Sequence, residues 1–453
     1  MRVHKLKIGV SGIRGEVGEF LTPALACAFA QAFATYTGPG RVVVGRDTRP
    51  SGPMLEHAVA CGLLAGGCDV VLVGVYPTPT IQIYVASTDA CGGLAITASH
   101  NPAEYNALKL FNRQGLFFNT YERSELLDLY HQSAFRHVSN AEIGHVETDT
   151  DRPFHLHLGR ILPHIDSNRI RNRRYRVAVD AVNGAASLWS PRFLEALGCE
   201  VAAIHVDPDR PFPRLPEPKP EALDQLRRTV IEQKCAVGFA QDPDADRLAV
   251  VDETGQVLDG DDVLALVVDT VLQRQRGNVV VNLSTSSAID DVARRYGCRV
   301  LRAPVGEANV VQLMQATQAV IGGEGSNGGV IYPSVHLCRD SFTGMALILD
   351  RMAASDLPLS ELARQLPRYF RRAGAVEFEH ERLGELLQRL PERFRATAID
   401  RSDGIKLILS DGWIHVRPSN TEPVLRFALE AREPQRSEEL YGEVLELLSS
   451  SGG

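Results

Sequence analysis

Three short runs of mainly apolar, β-branched residues recur along the chain, and each leads through a polar or glycine-rich loop into a helical pattern. The runs are Arg41–Gly45, Tyr175–Asp180 and Asn278–Asn282. Such runs are typical of parallel strands, because the helices that connect parallel strands bury both faces of the sheet. The chain is therefore predicted to be an α/β protein with mainly parallel sheets. The spacing of the runs is too irregular for a tandem repeat.

The C-terminal part of the sequence has a different pattern. Residues 404–409 and 413–416 have the composition of two strands, and Ser410–Gly412 between them has the composition of a turn. This pattern predicts a β-hairpin. A last helix is predicted to begin at a capping Ser437, with an apolar stripe at Leu440, Val444 and Leu447. We therefore expect a smaller α+β domain from residue 367 onward.

Composition narrows the class of protein further. A chain of 453 residues is long enough for three or four domains. Its net charge of −8 argues against a nucleic-acid-binding protein. The eight cysteines form no CxxC pair, and no apolar run approaches the ~20 residues that span a bilayer. These features predict a soluble, cytoplasmic protein with reduced thiols and no membrane partner.

The segment Thr97–Pro102, here called the serine loop, directly follows an apolar run that ends at Ile96. A serine just beyond the carboxyl end of a strand lies where α/β sheets bind ligands, so Ser99 is a candidate nucleophile. Ser, Asn and Pro also favour ordinary turns, and this interpretation stays open. His100 is a candidate to activate or position Ser99. Lys109 is a candidate proton carrier, because a desolvated lysine can have its pKa shifted toward neutrality.

The segment Asp242–Arg247, here called the aspartate loop, places carboxylates at positions 242, 244 and 246 between two apolar runs. Three carboxylates at this spacing can converge on one hard cation, and so few protein oxygens suit Mg²⁺. An EF-hand is excluded because Arg247 occupies the position where that loop needs glycine, and the flanks are strand-like. A solvated acidic hairpin is disfavoured, because buried carboxylates repel one another without a cation.

Three further sequence motifs indicate a function less specifically than the serine and aspartate loops do. The glycine loop, Gly322–Gly329, carries Glu324 and Ser326, which can bind sugar hydroxyls. The arginine loop, Arg417–Pro423, combines a guanidinium with polar side chains and predicts a phosphate cradle. Its polar side chains after Arg417 are Ser419, Asn420 and Thr421. Arg14 lies between glycines near the N-terminus. A flexible hairpin tip remains the alternative for the glycine loop, and a hydrogen-bonded turn remains the alternative for the arginine loop.

Together these loops predict an enzyme that acts in a central cleft on a phosphorylated, hydroxyl-rich substrate. Two alternatives remain at this point. One is a metal-dependent sugar phosphatase with a nucleophile in the aspartate loop, in which Ser99 is structural. The other is a sugar-phosphate sensor that lacks catalysis. The proline loop, Pro208–Pro220, cannot form a regular helix or a central strand and is expected to line such a cleft.

These loops, in this order, closely resemble the α-D-phosphohexomutase family, which includes phosphoglucosamine mutases, phosphomannomutases and phosphoglucomutases. The resemblance covers the whole chain and is most specific in the serine and aspartate loops. It implies three mixed α/β domains and a small C-terminal α+β domain, and it places their boundaries at residues 1–150, 151–252, 253–366 and 367–453.

The resemblance also implies a mechanism. Ser99 would be phosphorylated at rest, and one Mg²⁺ per active site would bridge its phosphate to Asp242, Asp244 and Asp246. The phosphoryl group would pass to a hexose phosphate, and a bisphosphorylated hexose would serve as intermediate and activator. Arg14 and Arg247 would neutralise charge, Lys109 would carry protons, and the glycine and arginine loops would bind the sugar and its second phosphate.

Two departures from the family pattern bear on the substrate. Ala107 stands where glycine is common, and the glycine loop lacks the histidine of many members. The glycine-rich form looks more like archaeal phosphoglucosamine mutases, so a hexosamine phosphate is favoured over mannose or glucose phosphates. A monomer or a homodimer is expected.

Overall fold

The computed structural model describes residues 7–9, 12–377, 383–419 and 424–450. The chain divides into two compact units. The first comprises the residues up to Gly260 together with Gly329–Arg364, and the second comprises Asp261–Gly328 and the residues from Gln365 onward. Among the described helices, none combines the length and apolar character needed to cross a bilayer.

The first region of the chain forms a seven-stranded sheet in the order β1-β2-β6-β5-β3-β4-β7. The strands β5, β3, β4 and β7 are parallel, whereas β1, β2, β6 and β5 pair antiparallel, so the sheet is mixed. The elements are β1 Lys7–Gly9, β2 Gly12–Glu16, α1 Pro23–Thr37, β3 Arg41–Arg46, α2 Gly52–Ala65, β4 Asp69–Val75, α3 Thr78–Ala86, β5 Gly92–Ile96, β6 Tyr105–Asn112, α4 Thr120–His131 and β7 Val146–Thr148.

The second region contains a four-stranded sheet in the order β11-β10-β8-β9, in which β10, β8 and β9 are parallel. Strands β10 and β11 form the antiparallel hairpin that carries the aspartate loop. The elements are α5 Arg152–Ile161, α6 Ser167–Arg173, β8 Arg176–Asp180, α7 Trp189–Ala196, β9 Glu200–Ile204, α8 Asp224–Glu232, β10 Val237–Gln241 and β11 Leu248–Asp252.

The third region has parallel strands in the order β13-β12-β14. Its elements are α9 Gly260–Arg274, β12 Val279–Asn282, α10 Ala288–Arg295, β13 Val300–Ala303, α11 Glu307–Thr317, β14 Ile321–Glu324, β15 Gly329–Ile331, α12 Ser341–Ser355 and α13 Leu359–Arg364. The predicted runs at 41–45, 175–180 and 278–282 are thus strands β3, β8 and β12, which confirms the α/β class.

The C-terminal region is a five-stranded antiparallel sheet in the order β16-β20-β19-β18-β17. Its elements are β16 Phe370–Glu377, α14 Leu383–Phe394, β17 Ala398–Asp400, β18 Ile405–Ile408, β19 Gly412–Pro418, β20 Val424–Ala431 and α15 Pro434–Ser450. The α+β prediction and the β18–β19 hairpin are confirmed. The predicted cap at Ser437 is wrong, because α15 begins at Pro434 and the Ser437 amide already donates to Glu433.

Separate apolar cores hold these sheets together. In the first unit, α1 and α2 pack against the first sheet around Phe29, Phe33 and Val44. A second core lies between α8 and the β8–β11 sheet. In the second unit, α14 and α15 cover one face of the C-terminal sheet. These packed layers leave the carboxyl ends of β3, β5 and β10 to carry the polar loops described next.

Candidate active site

The serine loop follows β5, as predicted, and Ser99 is buried within it. Ser99 has φ 51°, in the left-handed region, where an L-residue is strained by about 1–2 kcal/mol. Its amide donates to Thr97 Oγ1 at 3.0 Å, and that hydroxyl donates to Asp47 Oδ2 at 2.7 Å. Strain that the surrounding hydrogen bonds maintain is a feature of functional sites.

Arg49, which is not among the residues predicted from the sequence, holds this loop in place. The guanidinium is fully buried and donates to the carbonyl oxygens of Ser99 and Asn101 at 2.7 Å each, and to the Tyr105 carbonyl at 3.0 Å. Its Nε donates to Asp47 Oδ2 at 3.0 Å. The signal in the sequence was an Asp-Thr-Arg segment at the carboxyl end of β3, where polar residues in α/β proteins commonly serve the site.

Substitution of Arg49 by methionine is expected to lower the free energy of unfolding by about 3–5 kcal/mol, because it removes the counter-charge of the buried Asp47 and the donor to several buried carbonyls. Urea unfolding followed by circular dichroism measures this loss. The matched control is Arg46→Met, since Arg46 is only half-buried and its ion pair with Glu56 is 3.4 Å long. That variant should lose about 1 kcal/mol or less. Equal losses would contradict the role given to Arg49.

The aspartate loop reverses the chain between β10 and β11 through Ala245, which has φ 55°. Its backbone is anchored at Asp244, whose carbonyl accepts from the Thr78 amide at 2.9 Å, and at Ala245, whose carbonyl accepts from Ser341 Oγ at 2.6 Å. As a result, Asp242, Asp244 and Asp246 are all buried, and one oxygen from each lies within 4.8 Å of the others.

Ser99 and the aspartate loop meet at Asp242. Ser99 Oγ donates to Asp242 Oδ2 at 2.7 Å, and the other carboxylate oxygen accepts from the Arg247 amide at 3.1 Å. Burial and the negative charges of Asp244 and Asp246 raise the pKa of Asp242 well above its usual value. The predicted nucleophile is therefore in direct contact with one of the predicted metal ligands.

The other two carboxylates are each held through one oxygen. Asp244 Oδ2 accepts from Thr78 Oγ1 at 2.8 Å and from Lys109, and Asp246 Oδ2 accepts from Arg339 at 2.7 Å and from Lys109 at 3.4 Å. Their Oδ1 atoms are buried and have no hydrogen-bond partner among the described residues. Thr78 and Arg339 were not identified from the sequence, because no local pattern marks them.

These carboxylates fit a divalent cation. Two buried oxygens without a hydrogen-bond donor, a third carboxylate and an adjacent hydroxyl are hard oxygen ligands of the kind that Mg²⁺ prefers. A buried anionic oxygen without a partner carries a large desolvation penalty, which a bound cation removes. Asp242, Asp244, Asp246 and Ser99 can thus hold Mg²⁺ together.

The pKa of Lys109 shifts away from neutrality, contrary to the expectation from the sequence. Burial alone would lower the pKa of Lys109, but the carboxylates of Asp244 and Asp246 outweigh burial and raise it. The lysine is fully buried and is in contact with both aspartates, so its charged form is the stable one. In this arrangement Lys109 is a counter-charge to the two aspartates and carries a proton that it can donate.

Two further candidates, Arg14 and His100, lie around Ser99. Arg14, on β2, donates to Asn101 Oδ1 at 2.7 Å. His100 Nδ1 lies 3.4 Å from Ser99 Oγ, and burial, with the charges of Arg247 and Arg14, lowers the pKa of His100 to about 2. Its ring is therefore neutral at pH 7. Because Ser99 Oγ already donates to Asp242 at 2.7 Å, the contact with His100 suits a positioning role better than activation.

The remaining candidates belong to the second unit. Glu324 is buried at the end of β14, and its Oε1 accepts from Asn282 Nδ2 at 3.0 Å and from the Gly306 amide at 2.9 Å. Ser326 is exposed. Arg417, at the end of β19, has its Nε 3.9 Å from Asp403, and the nearby Ser419 is buried. Asn420 and Thr421 lie outside the described residues.

Comparison with known proteins identifies the chain. Phosphoglucomutase/phosphomannomutase models match it in order: domain I at residues 5–137, domain II at 155–255, domain III at 259–370 and the C-terminal domain at 375–447. A probable phosphoglucosamine mutase from Methanopyrus kandleri is 40% identical over 97% of both chains. The chain belongs to the phosphoglucomutase/phosphomannomutase family.

Two other comparisons agree with this assignment. A phosphoglucomutase/phosphomannomutase from Thermococcus kodakarensis is 39% identical over 98% of both chains. The solved structure of a family member from Burkholderia thailandensis superposes with a TM-score of 0.86, at 27% identity over 98% of both chains. As a member of this family, the protein is a phosphohexomutase, an isomerase that acts on sugar phosphates, and the class predicted from the sequence is confirmed.

Proposed function

We propose that this phosphohexomutase converts glucosamine 6-phosphate to glucosamine 1-phosphate, through a phosphorylated Ser99 and a bisphosphorylated sugar. The observation that carries the mechanism is the contact of Ser99 Oγ with Asp242, within the cluster of three buried aspartates. The choice of sugar is supported by the glycine-rich loop around Glu324 and by the Methanopyrus kandleri relative named probable phosphoglucosamine mutase. Mannose or glucose phosphate is the alternative substrate, and the relative from Thermococcus kodakarensis supports it.

Asp242, Asp244, Asp246 and the phosphate on Ser99 would hold one Mg²⁺ per active site. When bound, Mg²⁺ supplies positive charge that neutralises the oxygens of the transferring phosphoryl group. Arg14 and Arg247 lie beside the same loops and add to this charge from the protein side.

One phosphoryl transfer breaks the bond between Ser99 Oγ and phosphorus and forms a bond between phosphorus and a sugar oxygen. The sugar hydroxyl loses its proton, and Ser99 Oγ gains one. Lys109, which begins protonated, is the proposed carrier: it gives its proton toward Ser99 Oγ and recovers one from the sugar hydroxyl. The reverse transfer from the other phosphate of the bisphosphorylated sugar regenerates phospho-Ser99.

The second unit would bind the parts of the substrate that do not react. Glu324 and Ser326 are proposed to contact sugar hydroxyls. The residues proposed to bind the second phosphate are Arg417, Ser419, Asn420 and Thr421. Because the sugar must present each phosphate to Ser99 in turn, this cradle has to accept either phosphate.

Substitution of Arg417 by alanine is expected to raise KM for the sugar phosphate by roughly tenfold or more, because one charge-assisted hydrogen bond to phosphate is lost. The value of kcat should change much less. Steady-state kinetics of Arg417→Ala are compared with those of Arg393→Ala, a half-exposed arginine that pairs with Glu443 on α15. An unchanged KM in Arg417→Ala would contradict the phosphate cradle.

A mutase assay tests the proposed substrate. Glucosamine, N-acetylglucosamine, glucose and mannose phosphates are each supplied as the 1-phosphate and as the 6-phosphate, with Mg²⁺ and the matching bisphosphate. The highest kcat/KM is expected for glucosamine phosphate in both directions. A higher value for mannose or glucose phosphate would overturn the choice of sugar and leave the mutase mechanism standing.

A further inference from the structure

The proline loop is the sequence feature that the proposed reaction leaves unused. Six of its thirteen residues are prolines, and it connects β9 to the turn Pro220–Ala222 without regular structure, as predicted. Proline fixes φ and removes an amide donor, so a segment of this composition is stiff. A stiff loop can hold a side chain in one place at a small cost in conformational entropy.

The middle of the proline loop is fixed to the strands that support the aspartate loop. Arg214 donates to both carboxylate oxygens of Asp180, at 2.9 and 3.2 Å, and to the Gln241 carbonyl at 2.8 Å. Asp180 ends β8, and Gln241 ends β10 immediately before Asp242. Arg214 therefore fixes the position of this part of the loop relative to the carboxylates of the aspartate loop.

Three residues further on, Glu217 contacts Arg247. Its Oε1 accepts from Arg247 Nη1 at 2.6 Å, and its Oε2 lies 2.9 Å from Lys219 Nζ. Burial would raise the pKa of Glu217, but Arg247 and Lys219 together outweigh burial and lower it. Glu217 is thus ionised when it holds the guanidinium.

The opposite side of the same guanidinium faces the aspartates. Arg247 Nε lies 4.0 Å from Asp242 Oδ2 and 4.0 Å from Asp246 Oδ1, and it has no hydrogen-bond partner among the described residues. A rotation that brought Nε about 1 Å closer would form a direct ion pair with oxygens that the cation needs. The contact with Glu217 opposes that rotation.

We infer that Glu217 is a positioning residue that holds Arg247 away from Asp242 and Asp246, so that their oxygens stay available to Mg²⁺. This inference rests on the proposed function, because it takes the aspartate loop as the Mg²⁺ site. Without Glu217, Arg247 turns onto the aspartates and competes with the cation. The loss of Mg²⁺ affinity in a Glu217 variant therefore depends on the presence of Arg247.

Calorimetric titration of the metal-free, full-length protein with Mg²⁺ tests this dependence. Glu217→Ala is expected to weaken Mg²⁺ binding roughly tenfold, the usual size of an effect from a group that orients a metal site. Arg247→Ala should bind at least as tightly as the unmodified protein, and the double variant should match Arg247→Ala. Glu217→Gln keeps the acceptor oxygen and should lose less affinity. Intact mass ensures that all samples carry equal phosphate.

The matched control is Glu221→Ala, an exposed carboxylate just beyond the loop, which should leave Mg²⁺ binding unchanged. Unchanged affinity in Glu217→Ala would overturn the inference. An equal loss of Mg²⁺ affinity in the presence and in the absence of Arg247 would also overturn it, because Glu217 would then affect the metal site without Arg247. An unmodified protein that binds no Mg²⁺ would overturn the proposed metal site itself, and the inference with it.

Discussion

Ser99→Ala is expected to lower turnover by roughly 10⁴-fold or more, because the variant has no oxygen to carry the phosphoryl group. Binding of the sugar phosphate should survive, since the proposed cradle around Arg417 lies in the other unit of the chain. The folded state should also survive, because alanine tolerates φ 51° about as well as serine and Arg49 holds the loop through backbone carbonyls. Coupled-enzyme kinetics and calorimetric titration with the sugar phosphate measure the two effects separately.

Ser133 provides a matched control for this substitution. It is an exposed serine with the same φ of 51°, and it lies just beyond α4 in the same unit. Ser133→Ala should therefore change the backbone strain as Ser99→Ala does, but leave turnover unchanged. Turnover in Ser99→Ala within tenfold of that of the unmodified protein would contradict the proposed mechanism.

Asp242→Asn is expected to stabilise the metal-free protein and to abolish its stabilisation by Mg²⁺. Burial and the neighbouring carboxylates raise the pKa of Asp242 in the folded protein, so at pH values above the pKa of the unfolded chain this carboxyl group opposes folding. A neutral amide removes that cost, and each kcal/mol recovered corresponds to a rise in Tm of about 2–4 °C. The amide can still accept from the Arg247 amide and donate to Ser99 Oγ. The cation, however, loses a charged ligand.

Scanning calorimetry with and without Mg²⁺ measures both parts of this prediction. The control is Asp252→Asn, at the other end of the same hairpin, where one carboxylate oxygen accepts from the amides of Thr254 and Gln256. This variant should lower Tm and keep the full stabilisation by Mg²⁺. If Asp242→Asn gained as much stability from Mg²⁺ as the unmodified protein, the aspartate loop would not be the metal site.

The sequence predicted those parts of the site that lie within short segments. Ser99 follows an apolar run, and the aspartates at 242, 244 and 246 alternate within one turn, so a local pattern is enough to find them. Arg49, Thr78 and Arg339 reach these loops from segments far away in the chain. Only the packing of the helices and sheets brings them there. The position of Arg49 just beyond β3 is a general sign of a site residue, whereas no local pattern marks Thr78 or Arg339.

The errors have physical causes of the same kind. The pKa of Lys109 is raised because the carboxylates of Asp244 and Asp246, from another segment of the chain, outweigh burial, and the local sequence does not show which of the two effects is larger. The last helix begins at Pro434 because proline is well suited to the first helical turn, whereas Ser437 only resembles a cap. The domain boundaries at residues 150, 252 and 366 stay predictions, as do the roles of Asn420 and Thr421.

The most direct test of the account follows the phosphate on Ser99. The protein is labelled with ³²P at Ser99, freed of excess label, and mixed with unlabelled glucosamine 6-phosphate in the presence of Mg²⁺. The label is predicted to leave the Ser99 peptide and to appear first in the sugar bisphosphate and then in the sugar monophosphates. Label that stayed on Ser99 during turnover, or that left only as inorganic phosphate, would contradict the mutase mechanism.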